Sequence, residues 1–198
     1  MASMLQIMNA ALLAQGQHEI LSEGEGSDEY RVLVRSWPRV VEAELEDGNY
    51  HFTRETTVVL ARQAGAYGFT YGYSVPAGAL HVRDVYPVGQ PVDQRRPIDW
   101  LQDGRNVYAE ESNGVSMEIT YAPGPDEWSA TFTQGIQKRL EAIILRSLKE
   151  EYGAADRADQ TAEMFLQRAR TSSSKSRTAK PMFRSPGRLM SARRGRGG

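Results

Sequence analysis

The sequence contains no cysteine and no long apolar run. Without a thiol the chain cannot form a disulfide, a thiolate metal site or a cysteine nucleophile. No segment approaches the roughly 20 consecutive apolar residues that a membrane span needs. Residues 4–14 are apolar enough to suggest a signal peptide, but Gln6 and Asn9 interrupt them and no Lys or Arg precedes them, so they predict a short amphipathic helix. We therefore expect an intracellular protein with no membrane partner.

Residue patterns typical of catalysis and of metal binding are also missing. The chain has three histidines, and each falls in a different predicted element: His18, His51 and His81. His18 and Glu19 begin like a zinc-protease helix, but Ser22 occupies the position that the second histidine would need. No phosphate-binding loop and no Gly-x-Ser-x-Gly turn occurs. We therefore expect no enzyme activity, no metal and no cofactor.

Charge is divided unevenly along the chain. Its 198 residues suit one domain with its own core, and the formal net charge is only −1. Eight of the 24 basic residues and none of the 25 acidic ones lie from position 171 onward, so residues 1–170 carry a formal charge of −9. An asymmetry of this kind is typical of an interaction tail. The sequence therefore predicts an acidic body, residues 1–170, and a basic C-terminal arm, residues 171–198.

Apolar residues at the helical period predict a helical frame at both ends of the body. In residues 4–47 we expect a first helix that ends near Gly16, and a second that Ser27 caps and that Pro38 kinks or interrupts. Residues 24–27 are interpreted as a flexible connector. In residues 126–170 we expect a long helix that Asp126 caps and that Gly153 ends, followed by a last helix to about Arg170.

Between these helices, in residues 48–125, the apolar period changes to about two, which is typical of strands. Turn-prone clusters separate the predicted strands, which are residues 56–60, 69–75, 80–82, 106–108 and 117–121. The fold class we expect is α+β: a helical bundle frame with a small antiparallel β insertion and an extended C-terminal arm. The alternating aromatics Phe69, Tyr71 and Tyr73 could form a base-stacking face, but no basic residue alternates with them, so core packing is favoured.

The arm permits more than one interpretation. Its last residues, Arg193 to Gly198, resemble Arg/Gly tails that hold nucleic acid through phosphate contacts, and a solvated tail without function remains the simplest alternative. Apolar residues among the cations instead suit a linear peptide that orders as it docks on another protein. The candidate docking residues are Lys180, Met182, Phe183, Arg184, Arg188, Leu189, Met190, Arg193 and Arg194.

The order of elements resembles the head-to-tail connector proteins of tailed bacteriophages, the adaptor or tail tubular A-like family. The resemblance covers about residues 5–170 and rests on pattern more than on one sharp motif. The segments that carry it are residues 9–17 (NAALLAQGQ), 35–43 (RSWPRVVEA), 67–82 (YGFTYGYSVPAGALHV), 106–109 (NVYA) and the helix from Trp128 to Tyr152. One departure is that the second helix lacks the family's frequent Trp-Asn/Ser-Phe ending and is followed by residues 49–53 (NYHFT).

This resemblance implies a structural role in the virion, at the phage neck, after synthesis in the host cytoplasm. Members of the family form homo-oligomeric rings, commonly dodecamers, that join the portal protein to downstream tail, nozzle or stopper proteins. Duplex DNA passes through the lumen without sequence-specific binding during ejection. By position alone, the arm would dock on the portal. A nucleic-acid-binding protein that uses its Arg/Gly-rich tail is the alternative.

Overall fold

The computed structural model describes residues 3–91 and 95–175, which form a mixed α+β fold. The helices lie at both ends of this part of the chain, and antiparallel strands lie between them, as the sequence predicts. The candidate docking residues from Lys180 to Arg194 all lie outside the described residues. Within the described ranges, no helix has the length and apolarity that crossing a membrane requires.

The two N-terminal helices begin at side-chain caps. Helix α1, Met4–Ala14, starts with a capping box between Ser3 and Gln6, and Gly16 follows it at φ +67°. Helix α2, Asp28–Asp47, is capped by Ser27, whose hydroxyl accepts a hydrogen bond from the Tyr30 N–H at 3.2 Å. The predicted end of α1 near Gly16 and the predicted cap of α2 at Ser27 are both confirmed. The boundary considered at Pro38 is wrong, since α2 continues through this exposed proline to Asp47.

The strand-rich insertion is antiparallel, as predicted, and its strands form two sheets within the described residues. The first sheet has the order β1-β7-β4, with β1 at Arg54–Val59, β4 at Ala79–Pro87 and β7 at Val115–Tyr121. The second has the order β2-β3-β6-β5, with β2 at Gln63–Ala64, β3 at Tyr71–Ser74, β5 at Trp100–Asp103 and β6 at Asn106–Ala109. One apolar cluster, which includes Tyr73, Val107, Val115 and Met117, draws on both sheets, so the sheets share a core.

The C-terminal helices differ from the predicted boundaries. Helix α3, Ala130–Ser147, is capped by Ser129 and not by Asp126, because the chain makes a hydrogen-bonded turn from Gly124 to Glu127 before the helix begins. Helix α4 is Tyr152–Lys175, so Gly153 lies in its first turn and does not end α3. Helix α4 also continues past Arg170, where the last helix was predicted to end.

Helix α3 is central to the frame, since α1, α2 and α4 all pack against it. The core there contains buried residues of all four helices, and aromatic rings close it at the end near the sheets. Trp37 stacks on Trp128 with ring centroids 5.7 Å apart, which confirms that both are core anchors. Tyr50 meets Phe132 edge-on at 4.7 Å. The segment that follows α2 therefore contributes Tyr50 to the core of the helical frame.

Candidate functional site

Helix α4 is the last element that the structure describes, and a network of ion pairs fastens this helix to the frame. Arg139 of α3 is its centre. The guanidinium donates to Glu44 of α2 at 2.9 Å, to Asp159 of α4 at 3.1 Å and to Glu163 of α4 at 3.0 Å. A planar guanidinium offers five N–H donors in a fixed arrangement, so one side chain can hold three carboxylates. Arg139 thereby ties three helices together.

Arg170 extends this network to the last part of α4. Its guanidinium donates to Glu44 at 3.3 Å, to Asp47 at 2.9 Å and to Glu163 at 2.9 Å. Burial raises the pKa of the Glu44 carboxyl, and the adjacent Arg139 guanidinium opposes this shift. Burial also raises the pKa of Tyr50 to about 12, against the opposing charge of Arg170. Glu44 accepts from both arginines, so it needs both partners to stay charged in a half-buried site.

These contacts hold α4 to the frame just before the predicted arm, residues 171–198, begins. Arg170 lies five positions before Lys175, the last described residue of α4, and its ion pairs reach the C-terminal end of α2. The described part of α4 is therefore held to the frame at Arg170, the residue that precedes the predicted arm. We call this part of the molecule, Glu44, Asp47, Arg139, Glu163 and Arg170, the arm root.

A second feature is an exposed leucine in a loop that side chains hold in place. Leu21 is 86% exposed. The amide of Asn9 donates to the Ile20 carbonyl and accepts from the Ile20 N–H, both at 2.9 Å, while the Glu25 carboxylate accepts from the Leu21 N–H at 2.8 Å. The hydroxyl of Ser27 also donates to Glu25. The interpretation of residues 24–27 as a flexible connector missed these contacts, which order the loop ahead of α2.

A third feature is a groove of about 500 Å³ between α2 and α3. Arg35 and Arg39 are exposed on its α2 side and lie one helical turn apart. Neither guanidinium has a hydrogen bond or an ion pair with any residue that the structure describes. Val40, Ala43 and Ile143 add apolar surface, and the Glu44–Arg139 pair lines the groove as well. The groove thus combines apolar walls with two free cations.

The other residues that the sequence singled out do not form a site. His18, His51 and His81 are all exposed and lie in separate elements, and in the described ranges no group of three or more His, Cys, Asp or Glu is placed to hold a metal ion. The adjacent carboxylates Glu110 and Glu111 accept hydrogen bonds from the backbone N–H groups of Thr70 and Asn113. These two carboxylates therefore stabilise loops of the insertion.

The aromatic row of β3 is divided between the core and the surface. Tyr73 is fully buried, and its hydroxyl donates to the Glu111 carbonyl. Tyr71 is half-buried, with the Arg62 guanidinium 5.4 Å from its ring centroid. Since Tyr73 is buried, Phe69, Tyr71 and Tyr73 do not present one continuous face for stacking bases.

Similarity to known proteins adds no further guide to the site. The chain matches no protein-family model, and a search of curated proteins finds no match.

Proposed function

We propose that this chain is a non-enzymatic subunit of the head-to-tail connector ring of a tailed bacteriophage. In this role copies of the body form a ring between the portal and the tail, and the arm docks on the portal. The α+β frame with its strand-rich insertion supports the proposal, because this order of elements is the one that the resemblance implies. The proposal assigns the protein to the virion neck, with duplex DNA crossing the ring lumen.

The observation that carries the proposal is the arm root. A docking segment works best when its starting point is fixed, because less freedom is then lost when the segment binds. Arg139 and Arg170 fasten α4 to α2 and α3 up to the residue that precedes the predicted arm. The arm itself carries apolar residues between cations, as a strap that fills grooves on an acidic partner would.

The net negative charge of residues 1–170 is better suited to a channel through which DNA passes than to a site that binds DNA. Residues 1–170 have 25 acidic against 16 basic side chains. A net negative body repels phosphates, whereas nonspecific DNA binding depends on cations that displace counterions. A ring built from such bodies would let the duplex slide through.

The first experiment mixes the protein with the portal protein of the same phage and measures the mass of the complex by native mass spectrometry. The full chain is expected to form a ring on the portal, and a chain that ends at Lys175 is expected to lose portal binding while α4 stays intact. The cut belongs after Lys175 because Arg170 is part of the arm root. Undiminished binding by the shortened chain would refute the arm's role, and no binding by the full chain would refute the proposed function.

A matched pair of full-length variants separates apolar docking from simple charge attraction. Phe183→Ser with Leu189→Ser removes two apolar anchors, and Arg193→Ser with Arg194→Ser removes two cations. We expect the first pair to weaken portal binding more, by about tenfold or greater, because burying a large apolar side chain stabilises a complex by about 1.5–3 kcal/mol. Unchanged binding by the first pair, with a loss for the second, would show that the arm binds by charge alone.

The nucleic-acid alternative predicts a different response to salt. If six to eight arm cations met duplex phosphates, the logarithm of affinity would fall with the logarithm of salt concentration at a slope of roughly −5 to −7. The same titration on the chain that ends at Lys175 would then lose this slope. The connector proposal expects portal binding to persist at a salt concentration that abolishes DNA binding.

A further inference from the structure

Leu21 is the most exposed large apolar side chain of the described residues, yet its backbone is held firmly. The preceding residue, Ile20, is fully buried. Its backbone N–H and its carbonyl both form hydrogen bonds with the side-chain amide of Asn9. Glu19 and Leu21, on either side of the buried Ile20, are both exposed. A leucine that is ordered in advance and points outward has the properties of an interface anchor, because little conformational entropy remains to be lost on binding.

Acidic side chains flank this leucine. Glu19 and Glu23 are both exposed, and neither has a hydrogen bond or ion pair with any other residue in the described ranges. Glu25 differs, since its carboxylate already accepts from Leu21 and Ser27. The loop therefore presents one apolar side chain between two free carboxylates.

The groove between α2 and α3 is the complement of this loop. Its apolar surface comes from Val40, Ala43 and Ile143, and its free cations are Arg35 and Arg39. The arm of the same chain is a poor occupant, because it is basic and would meet two like charges. The chain's own Leu21 does not occupy the groove either, since it is exposed to solvent.

We infer that the Leu21 loop of one copy inserts into the α2–α3 groove of the next copy, with Glu19 and Glu23 facing Arg35 and Arg39. This contact joins two different surfaces, so it repeats head to tail and closes into a ring when the rotation between copies permits. The inference deepens the proposed function, on which it rests for the ring, by naming the surfaces through which neighbouring subunits associate. It gives Asn9 and Glu25 the role of positioning Leu21.

The absence of cysteine allows a direct test on the full chain. One preparation carries Leu21→Cys and a second, with a different mass tag, carries Ala43→Cys, an exposed position in the groove. After mixing and mild oxidation, with and without portal, we expect a disulfide-linked pair that contains one copy of each. The control replaces Ala43→Cys by Asp103→Cys, which is exposed on β5 and does not line the groove. Cross-linking no faster than this control under either condition would overturn the inference.

Charge reversal provides the second readout. Glu19→Lys with Glu23→Lys, or Arg35→Glu with Arg39→Glu, is expected to weaken self-association about tenfold or more, because like charges then meet across the contact. All four changes in one chain should restore it, which misfolding of either variant could not explain. Failure of the four-fold variant to recover, while each two-fold variant stays folded, would count against the contact.

The two proposals fail in distinguishable ways. Portal binding without the Leu21–Ala43 cross-link would overturn the subunit contact and leave the connector role standing. Cross-linking without portal binding would overturn the connector role and leave the subunit contact standing.

Discussion

Gly135 of α3 lies directly against Leu166 of α4. A Cβ atom built on Gly135 would come within 2.7 Å of both Cγ and Cδ2 of Leu166, and Leu166 is fully buried. The absence of a side chain at position 135 is therefore what lets α4 approach α3 closely. The arm root depends on this approach, since Arg139 lies one turn further along the same helix and bonds to Asp159 and Glu163 of α4.

Gly135→Ala is expected to destabilise the protein. Overpacking a core typically costs about 1–3 kcal/mol, and the better helix propensity of alanine offsets about 1 kcal/mol of this. The free energy of unfolding, measured by urea denaturation, should therefore fall by up to about 2 kcal/mol. Gly153→Ala is the matched control, because no atom lies within 4 Å of a Cβ built there. Equal stability of the two variants would mean that α3 and α4 can move apart without loss.

Arg139→Met is expected to cost about 2 kcal/mol, because it leaves the half-buried Glu44 carboxylate without its closest partner. Arg146→Met is the comparison: of the two partners of Arg146 in α4, Asp156 is 68% exposed and Asp159 keeps its ion pair with Arg139, so a loss within about 1 kcal/mol is expected. Adding Glu44→Met to Arg139→Met should recover part of the loss, since the uncompensated charge is removed. Thermal or urea unfolding of the three variants checks this. A loss for Arg139→Met no larger than for Arg146→Met would contradict it.

Local signals predicted much of this fold. The cap at Ser27 and the end of α1 at Gly16 depend on residues within a few positions of each other, so the sequence alone indicates them. Strand β2 was missed because two residues are too few to show a period, and β5 because its three residues from Leu101 to Asp103 are exposed. Ser129 and Asp126 are both good caps, and only the turn formed by Gly124 and Glu127 decides between them.

The candidate sites were harder to predict than the fold. Arg170 and Glu44 are 126 positions apart in the chain, so no local pattern indicates that they meet. Leu21 did leave a signal, an apolar residue in an acidic loop, but the clamp by Asn9 becomes evident only when α1 packs beside the loop. The docking residues proposed in the arm lie outside the described residues, and their role stays a prediction.

The Leu21 loop should loosen in acid. Hydrogen bonds from Ser27, and then from the Leu21 N–H, hold the pKa of the Glu25 carboxyl below its ordinary value of 4.5. A depressed pKa stabilises the folded loop above pH 4.5, and this stabilisation is lost as the pH falls through the lowered value. The Leu21 amide resonance, followed by NMR, should therefore shift with a midpoint below 4.5. In Glu25→Gln the shift should vanish, and a midpoint at or above 4.5 would refute the assigned hydrogen bonds.

The protein is expected to lose stability in alkali because the Tyr50 hydroxyl is buried. Its hydroxyl is buried and has no hydrogen-bond partner of standard geometry in the described part of the chain, and burial raises its pKa from 10.0 to about 12. In the unfolded chain the phenol ionises near pH 10, so the stability that the neutral buried phenol contributes is complete below pH 10. It is lost as the pH rises toward 12.

Between pH 8 and pH 11 this group alone should lower the free energy of unfolding by about 1 kcal/mol, because one pKa unit corresponds to about 1.4 kcal/mol. Tyr50→Phe should reduce the loss by that amount and leave stability at pH 8 little changed, since the ring contacts to Phe52 and Phe132 do not involve the hydroxyl. Urea unfolding at the two pH values measures both quantities. Tyr152→Phe, at a residue that is 64% exposed, is the control and should leave the loss as it is in the unchanged protein. If Tyr50→Phe and Tyr152→Phe respond alike, burial of the Tyr50 hydroxyl does not govern the alkaline transition.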